Sequence, residues 1–353
     1  MAYSWEEERK GSGMSSTGGA GFESAREVYR RPVEPVSSTP PASLIRSEST
    51  GSRPRSTEHR LSEPSLMEHR STRSRPMKPK PGATPRPIGL TISTDSTHPI
   101  GVICDETGSM GEKPEIIREK MALLGKEVQR YAPNYAISFA FVGDTRCDEY
   151  GLQVRQFGSG PALDEHLGLL YAEGKGGDTE ESYGVAAYYY LTHCNIPNAV
   201  KPILIFILDA PDHGDVRSDE VKAYIGDTIN GPMSTEEVFG QLAKKFRVYI
   251  VSDHGNYREY WVPIVGAQHF IVIDEVRDIV EILIGIIAGE LGEFKDFEMR
   301  SSARHSDKPD RISRVGESLR SVKKVSEKMS SGKGVRTDGE DSGEKSMKSK
   351  KLV

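Results

Sequence analysis

No aromatic residue stands between Tyr29 and Tyr131, and none follows Phe297. Both flanks are rich in Ser, Lys, Arg and Glu, with apolar residues only scattered among them. Such stretches bury too little apolar surface to offset the entropy of ordering them. The sequence therefore predicts a disordered Ser/Pro/Arg-rich tail over 1–87, one globular domain over 88–292, and a basic, mostly disordered tail over 293–353. Prolines from Pro32 to Pro87 deny the first tail continuous helix or sheet, and a short helix over 22–31 is its one helical pattern. Its repeated Arg-Ser pairs, such as Arg46-Ser47 and Arg73-Ser74, fit kinase targets and chance equally.

Cysteine is also scarce. Cys104, Cys147 and Cys194 make no CxxC pair and no disulfide framework. Long apolar runs are missing: the longest, Ile279–Gly289, carries Glu281 and is too short to span a bilayer. The start, Met1 to Glu8, lacks the basic and apolar regions of a signal peptide. A soluble, cytoplasmic chain is the expectation. Charge divides as composition does. Residues 1–87 carry 15 Lys/Arg against 10 Asp/Glu and residues 293–353 carry 16 against 11, while 88–292 carries 16 against 31. Each tail is thus +5 and the domain −15, which suits either solubilising tails or contact with something anionic, with nucleic acid a weak candidate.

Within the domain, apolar runs alternate with helical spacing. Ile100–Cys104, Ala136–Val142, Leu152–Phe157, Pro202–Leu208, Val248–Val251 and Phe270–Ile273 read as strands. Pro202–Leu208 is uniformly apolar, as a central parallel strand must be, and the partly polar Leu152–Phe157 belongs at an edge. Between them, Ile117, Met121, Leu124, Val128 and Tyr131 line one face of a helix opening at Pro114. Further helices are expected over 163–171, 180–194, 234–246 and 276–291. The third opens on a capping-box pattern, Ser234 with Glu237, and a polar insertion precedes it up to about residue 233. The class is α/β: a doubly wound, mostly parallel six-stranded sheet flanked by helices. Sites in such sheets lie at the carboxyl ends of the strands, near the reversal of strand order.

The loop after the first strand, Cys104-Asp105-Glu106-Thr107-Gly108-Ser109-Met110-Gly111, offers oxygen donors at alternate positions: Asp105, Thr107 and Ser109. Hard oxygens of this kind suit Mg2+, and Mn2+ or Ca2+ after it. Farther on stand Gly176-Gly177-Asp178-Thr179-Glu180-Glu181 and, after the central strand, Asp209-Ala210-Pro211-Asp212-His213-Gly214. Asp-x-Thr-x-Ser, a distant Thr179 and a distant Asp209 resemble the metal-ion-dependent adhesion site of von Willebrand factor type A domains. The Asp-x-Thr-Gly-Ser-Met form looks like the branch common in bacterial proteins and in proteins linked to alpha-kinases, although no kinase signature accompanies it here. The resemblance covers about 98–292 and implies a Rossmann-like fold. It implies that Thr107 and Ser109 bind the cation by their hydroxyls, Thr179 directly or through water, and Asp105 and Asp209 mostly through water. It also implies a non-enzymatic module that grips a protein partner's acidic residue through the ion; such domains often accompany ATPase assemblies.

The plain alternative for these residues is helix capping and loop lining. Glu106 either adds a carboxylate to the site or points to solvent. A metal-dependent hydrolase would draw His213 and His254 toward Asp105 and Asp209, but no nucleophile–base pair is spaced for it. A phosphatase needs a second Asp where Thr107 stands, and no Gly-x-Gly-x-x-Gly follows the first strand. A tail-driven scaffold is a third possibility. In the last tail, Ile312, Val315, Leu319, Val322 and Met329 fall at heptad positions, which predicts a short amphipathic helix over 311–329, too short for a firm coiled coil.

Overall fold

Ile100, Val102 and Cys104 turn to one side of the strand His98–Asp105 and Ile103 to the other, and all four are buried. A strand apolar on both sides must be covered on both, and the architecture follows from that. The computed structural model describes residues 87, 89–111, 113–174, 177, 179–253 and 255–330. The N-terminal tail up to residue 86, with its expected helix over 22–31, and the tail beyond 330 lie outside the described residues.

Six strands form the main sheet: β1 (His98–Asp105), β2 (Tyr135–Val142), β3 (Leu152–Val154), β4 (Ile203–Ile207), β5 (Arg247–Ser252) and β6 (Phe270–Val272). Their order is β6-β5-β4-β1-β2-β3. Every neighbouring pair is parallel except β2 and β3, which run antiparallel at the edge. In the centre, Cys104 of β1 registers with Phe141 of β2 and with Ile207 of β4. The mostly parallel sheet expected from the apolar runs is the one observed.

On one face lie α1 (Lys113–Tyr131), α2 (Ala162–Gly168) and α7 (Ile279–Leu291), whose Ile117, Leu124, Val128, Leu163 and Leu283 pack with Ile100 and Ile137. On the other lie α3 (Tyr183–Thr192) and α5 (Thr235–Lys245), with Tyr190, Val238 and Leu242 against Leu204 and Phe206. Ser234 Oγ accepts the Glu237 N–H at 3.1 Å, so the expected cap opens α5. The insertion before it holds a helix of its own, α4 (Ser218–Tyr224), and α6 (Arg258–Val265) carries the buried Trp261.

The domain does not stop at 292. Three further helices, α8 (Phe294–Arg304), α9 (Pro309–Ser318) and α10 (Arg320–Ser330), pack against α7. This corrects the boundary set by composition, and the single helix expected over 311–329 is two, parted at the buried Leu319. The physical reason lies in α7, which is apolar but for Glu281 and Glu290 and is buried on every side, and therefore needs cover on its far side as well. Phe294, Phe297, Val315, Leu319 and Val322 supply it, and they join the same core. Gly285 and Gly289 make room: a Cβ on either would collide with Leu319 or Val322. Glu281, buried in α7, accepts bonds from Ser301 Oγ (3.0 Å), Arg304 Nε (3.0 Å) and Arg304 Nη2 (2.9 Å), and His305 Nε2 lies 3.0 Å away. Arg304 also reaches Glu127 of α1 at 2.8 Å. No helix among the described residues is long and apolar enough to cross a membrane.

Candidate functional site

The strand order reverses between β4 and β1, and the carboxyl ends of these two paired strands lie side by side there. Asp105 is the last residue of β1, and Asp209 follows β4 by two residues. A turn of 3-10 helix, Gly108–Met110, then leads through Gly111, whose φ of +54° few other residues adopt readily, into α1.

Four of the five residues expected at the site are joined by direct hydrogen bonds. Asp105 Oδ1 accepts the Thr107 N–H at 2.7 Å and its hydroxyl at 2.6 Å. Thr107 Oγ1 and Ser109 Oγ lie 3.1 Å apart, and Ser109 Oγ donates to Asp209 Oδ1 at 3.0 Å. Asp105, Thr107 and Asp209 are buried and Ser109 is exposed, so the chain of oxygens opens to solvent at Ser109. Thr179, the fifth, is exposed on the loop before α3 and takes no part in this chain. Among the described residues no three His, Cys, Asp or Glu side chains gather as a metal-holding group, so a cation here would rest on hydroxyls as much as on carboxylates.

Three residues not foreseen complete the surroundings. Tyr183 of α3 donates its hydroxyl to Asp105 Oδ2. Lys113, at the start of α1, places Nζ 3.0 Å from Asp209 Oδ2 and 2.6 Å from Asp253 Oδ2. Burial opposes its charge, but the bond to Asp253 and the charge of Asp209 outweigh burial and raise the ammonium's pKa. Glu181 is the third: its carboxyl is 3% exposed and within hydrogen-bonding reach of Thr107.

Burial sets the charge states here. It pushes the Asp105 carboxyl up to about 7, with Asp209 adding to the rise and the bonds from Thr107 and Tyr183 opposing it. Glu181 is driven up to about 10 by burial first and then by Asp105, Asp144 and Asp148. Asp144 goes the other way: the bonds from His213 (3.0 Å), Cys147 (3.0 Å) and the Arg146 N–H (2.9 Å) outweigh its burial and bring it to about 2. Asp212 accepts the Gly184 N–H at 2.6 Å and the Thr235 hydroxyl, yet burial still lifts it to about 6.

Glu106 neither joins the site nor reaches solvent. It is buried and accepts Gln153 Nε2 at 3.2 Å and the Glu173 N–H at 2.7 Å, which ties down the chain after α2. His213 sits between Asp144 and Glu180, the latter at 3.4 Å, rather than beside Asp105 and Asp209. His254 lies outside the described residues. The mixed histidine–carboxylate site that a hydrolase would need is thus built with neither Asp105 nor Asp209 at His213.

Tyr183 was legible only as part of a helix's inward face. Lys113 carried a weaker signal, as a cation in the turn after the oxygen-rich loop. Glu181 carried one too, an acid two residues after Thr179 and next to Glu180.

No family model and no curated protein matches the chain. Its backbone is similar to that of the pilus adhesin SpaC from Lactobacillus rhamnosus GG, at 10% identity and a TM-score of 0.40, over 59% of this chain and 32% of that one. It is similar also to proximal thread matrix protein 1 from the mussel byssus, at 9% identity and a TM-score of 0.41, over 56% and 49%. The chain thus spans about a third to a half of the proteins it matches, and likeness at this level carries no argument about function.

Proposed function

We propose that the carboxyl edge of the sheet binds a divalent cation, Mg2+ in the first place, and uses it to take an acidic residue of a protein partner. The observation that carries this reading is the continuous chain of oxygens from Asp105 through Thr107 and Ser109 to Asp209, which joins the ends of two central strands and opens at an exposed hydroxyl. All its donors are hard oxygens, the set a magnesium or calcium ion prefers. The site already draws in one positive charge, the Lys113 ammonium on Asp209 and Asp253.

Thr107 and Ser109 would hold the ion by their hydroxyls, with Asp105 and Asp209 behind them. An ion with few charged donors stays electrophilic and takes a carboxylate oxygen from outside. Tyr183 and the Thr107 N–H keep Asp105 oriented, since each bonds a different carboxylate oxygen. Membership of the von Willebrand factor type A family and a role beside an ATPase assembly belong to the same reading. The sequence motif supports the first, and only that resemblance suggests the second.

The test is calorimetric titration of the full chain with Mg2+, alongside capture of its partner with and without EDTA. Wild type should bind the ion and Asp105→Ala should not, and both EDTA and Asp105→Ala should abolish capture. Full capture in EDTA would remove the cation from the interaction.

A further inference from the structure

The asparagines of the chain are Asn134, Asn195, Asn198, Asn230 and Asn256, and only Asn230 is followed by glycine. The pair Asn230-Gly231 lies in the insertion between α4 and α5, within the stretch 226–232 that is neither helix nor strand. Asn230 is exposed. Among the described residues neither its side-chain amide nor the Gly231 N–H has a hydrogen-bond partner. Gly231 holds a φ of +116°, a conformation that favours glycine, and nothing lies within 4 Å of where a Cβ would stand.

These are the conditions under which a backbone nitrogen attacks the side chain before it. Once it sheds its proton, the Gly231 nitrogen can bond to Asn230 Cγ and close a succinimide ring, and the side-chain nitrogen leaves as ammonia. Water then opens the ring. Addition at Cγ gives aspartate, and addition at the backbone carbonyl gives isoaspartate, whose main chain is one methylene longer. The sum is asparagine and water going to an acid and ammonia, with no oxidant or reductant. A side chain on the following residue crowds the closing ring, and a hydrogen bond on its N–H holds the nitrogen back. Residue 231 has neither. After Asn198, by contrast, Ala199 brings a Cβ and its N–H donates to Ile196 O at 3.2 Å, and after Asn134 the bulky Tyr135 opens β2. The backbone conformation that calls for glycine at 231 thus also leaves the ring free to close.

We propose that Asn230 is a site of spontaneous covalent modification, converted to isoaspartate and aspartate in the folded chain. The change needs neither an enzyme nor unfolding. It falls in the irregular stretch between α4 and the short strand Met233–Ser234, which pairs with Asp215–Val216, so the added methylene breaks no bond of either element. The product adds one negative charge to residues 88–292, taking them from −15 to −16. An exposed isoaspartate is also the class of substrate that isoaspartate carboxyl methyltransferases accept. The aged chain therefore gains a partner that the fresh chain lacks.

The experiment incubates the full chain in mildly alkaline buffer made with 18O-enriched water, both folded and in urea, and maps its peptides by mass spectrometry. In the folded chain Asn230 should become an acid that carries a heavy oxygen and is mostly isoaspartate, while Asn134, Asn195, Asn198 and Asn256 stay amides. No bond has to open first, so folded Asn230 should convert within about threefold of its rate in urea. An isoaspartate carboxyl methyltransferase with a labelled methyl donor should then mark the peptide carrying residue 230 in wild type and leave it unmarked in Asn230→Gln. Conversion of Asn230 in urea alone overturns the proposal, because the fold would then protect the pair. So does conversion at the other asparagines of the folded chain to the same extent. Aspartate without isoaspartate overturns it too, since direct hydrolysis would have replaced attack by the Gly231 nitrogen.

Discussion

The Lys113 ammonium and an incoming divalent ion compete for the same oxygens of Asp209. Nζ lies 3.0 Å from Asp209 Oδ2, while Oδ1 of that carboxylate holds the Ser109 hydroxyl. At such distances, and at the effective dielectric of a partly buried site, one unit charge acts on another with a few kcal/mol. Lys113→Met should therefore raise Mg2+ affinity about tenfold, the factor that about 1.4 kcal/mol corresponds to, and lower the melting temperature of the metal-free chain. Calorimetry with Mg2+ decides it; weaker binding in Lys113→Met would mean that the ammonium positions Asp209 instead of competing for it. At this scale the candidate site was half legible. Asp105, Thr107 and Ser109 are neighbours in the chain, so their spacing showed in the sequence. Tyr183 and Asp209 reach them across 78 and 100 residues, and such contacts leave no local pattern. Of the two, Asp209 alone was legible, through its place in the motif rather than through a periodicity.

Among the elements, the six strands were the most legible because a covered parallel sheet forces uninterrupted apolar runs. The helix α4 was missed because it is short and its apolar residues are few and sit among charged ones, and α6 because Pro263 stands inside its eight residues. The largest miss was the cover over α7. Its apolar side chains (Phe294, Phe297, Val315, Leu319 and Val322) are spread thinly through a basic, serine-rich stretch whose composition resembles disorder. The clue lay in the partner: a largely apolar helix with glycines at 285 and 289 has a face waiting for side chains. Leu319→Ala should cost about 3 kcal/mol in urea unfolding, within the range for a buried leucine. Gly285→Leu should undock the last helices and make the chain between α8 and α9 sensitive to protease. Unchanged protease resistance in Gly285→Leu would show that α7 does not need them.

For the whole molecule, the buried carboxyls set opposite trends with pH. In the folded chain Asp105 titrates at about 7 and Asp212 at about 6, both above the ordinary 3.8, so the folded form holds those protons more tightly than the unfolded one. Without metal, stability should rise as pH falls from 8 toward 5. Asp144, at about 2, is depressed below 3.8, so its contribution is present above 3.8 and is lost as pH falls toward 2. Melting in EDTA across this range should trace a dome with its top between about pH 3 and 4, because the raised carboxyls keep adding stability until pH falls below 3.8. Mg2+ needs Asp105 ionised, so its stabilisation should fade as pH drops through 7 and the dome should shift to higher pH. A flat profile in EDTA would show that the buried carboxyls are not strained. The same acid-rich character gives residues 88–292 a net charge of −15, against which an acidic partner must be drawn in by the ion.

The cover over α7 also fixes an order of events. Synthesis runs from the amino end, so the sheet and α7 leave the ribosome before any of the side chains that shield them. Until Leu319 and Val322 emerge, the nascent chain shows water an open apolar face and a Glu281 whose partners at Ser301, Arg304 and His305 are only just arriving. Exposed surface of that kind is where growing chains stick to one another. The helices that composition marked as expendable are the ones that end this exposure.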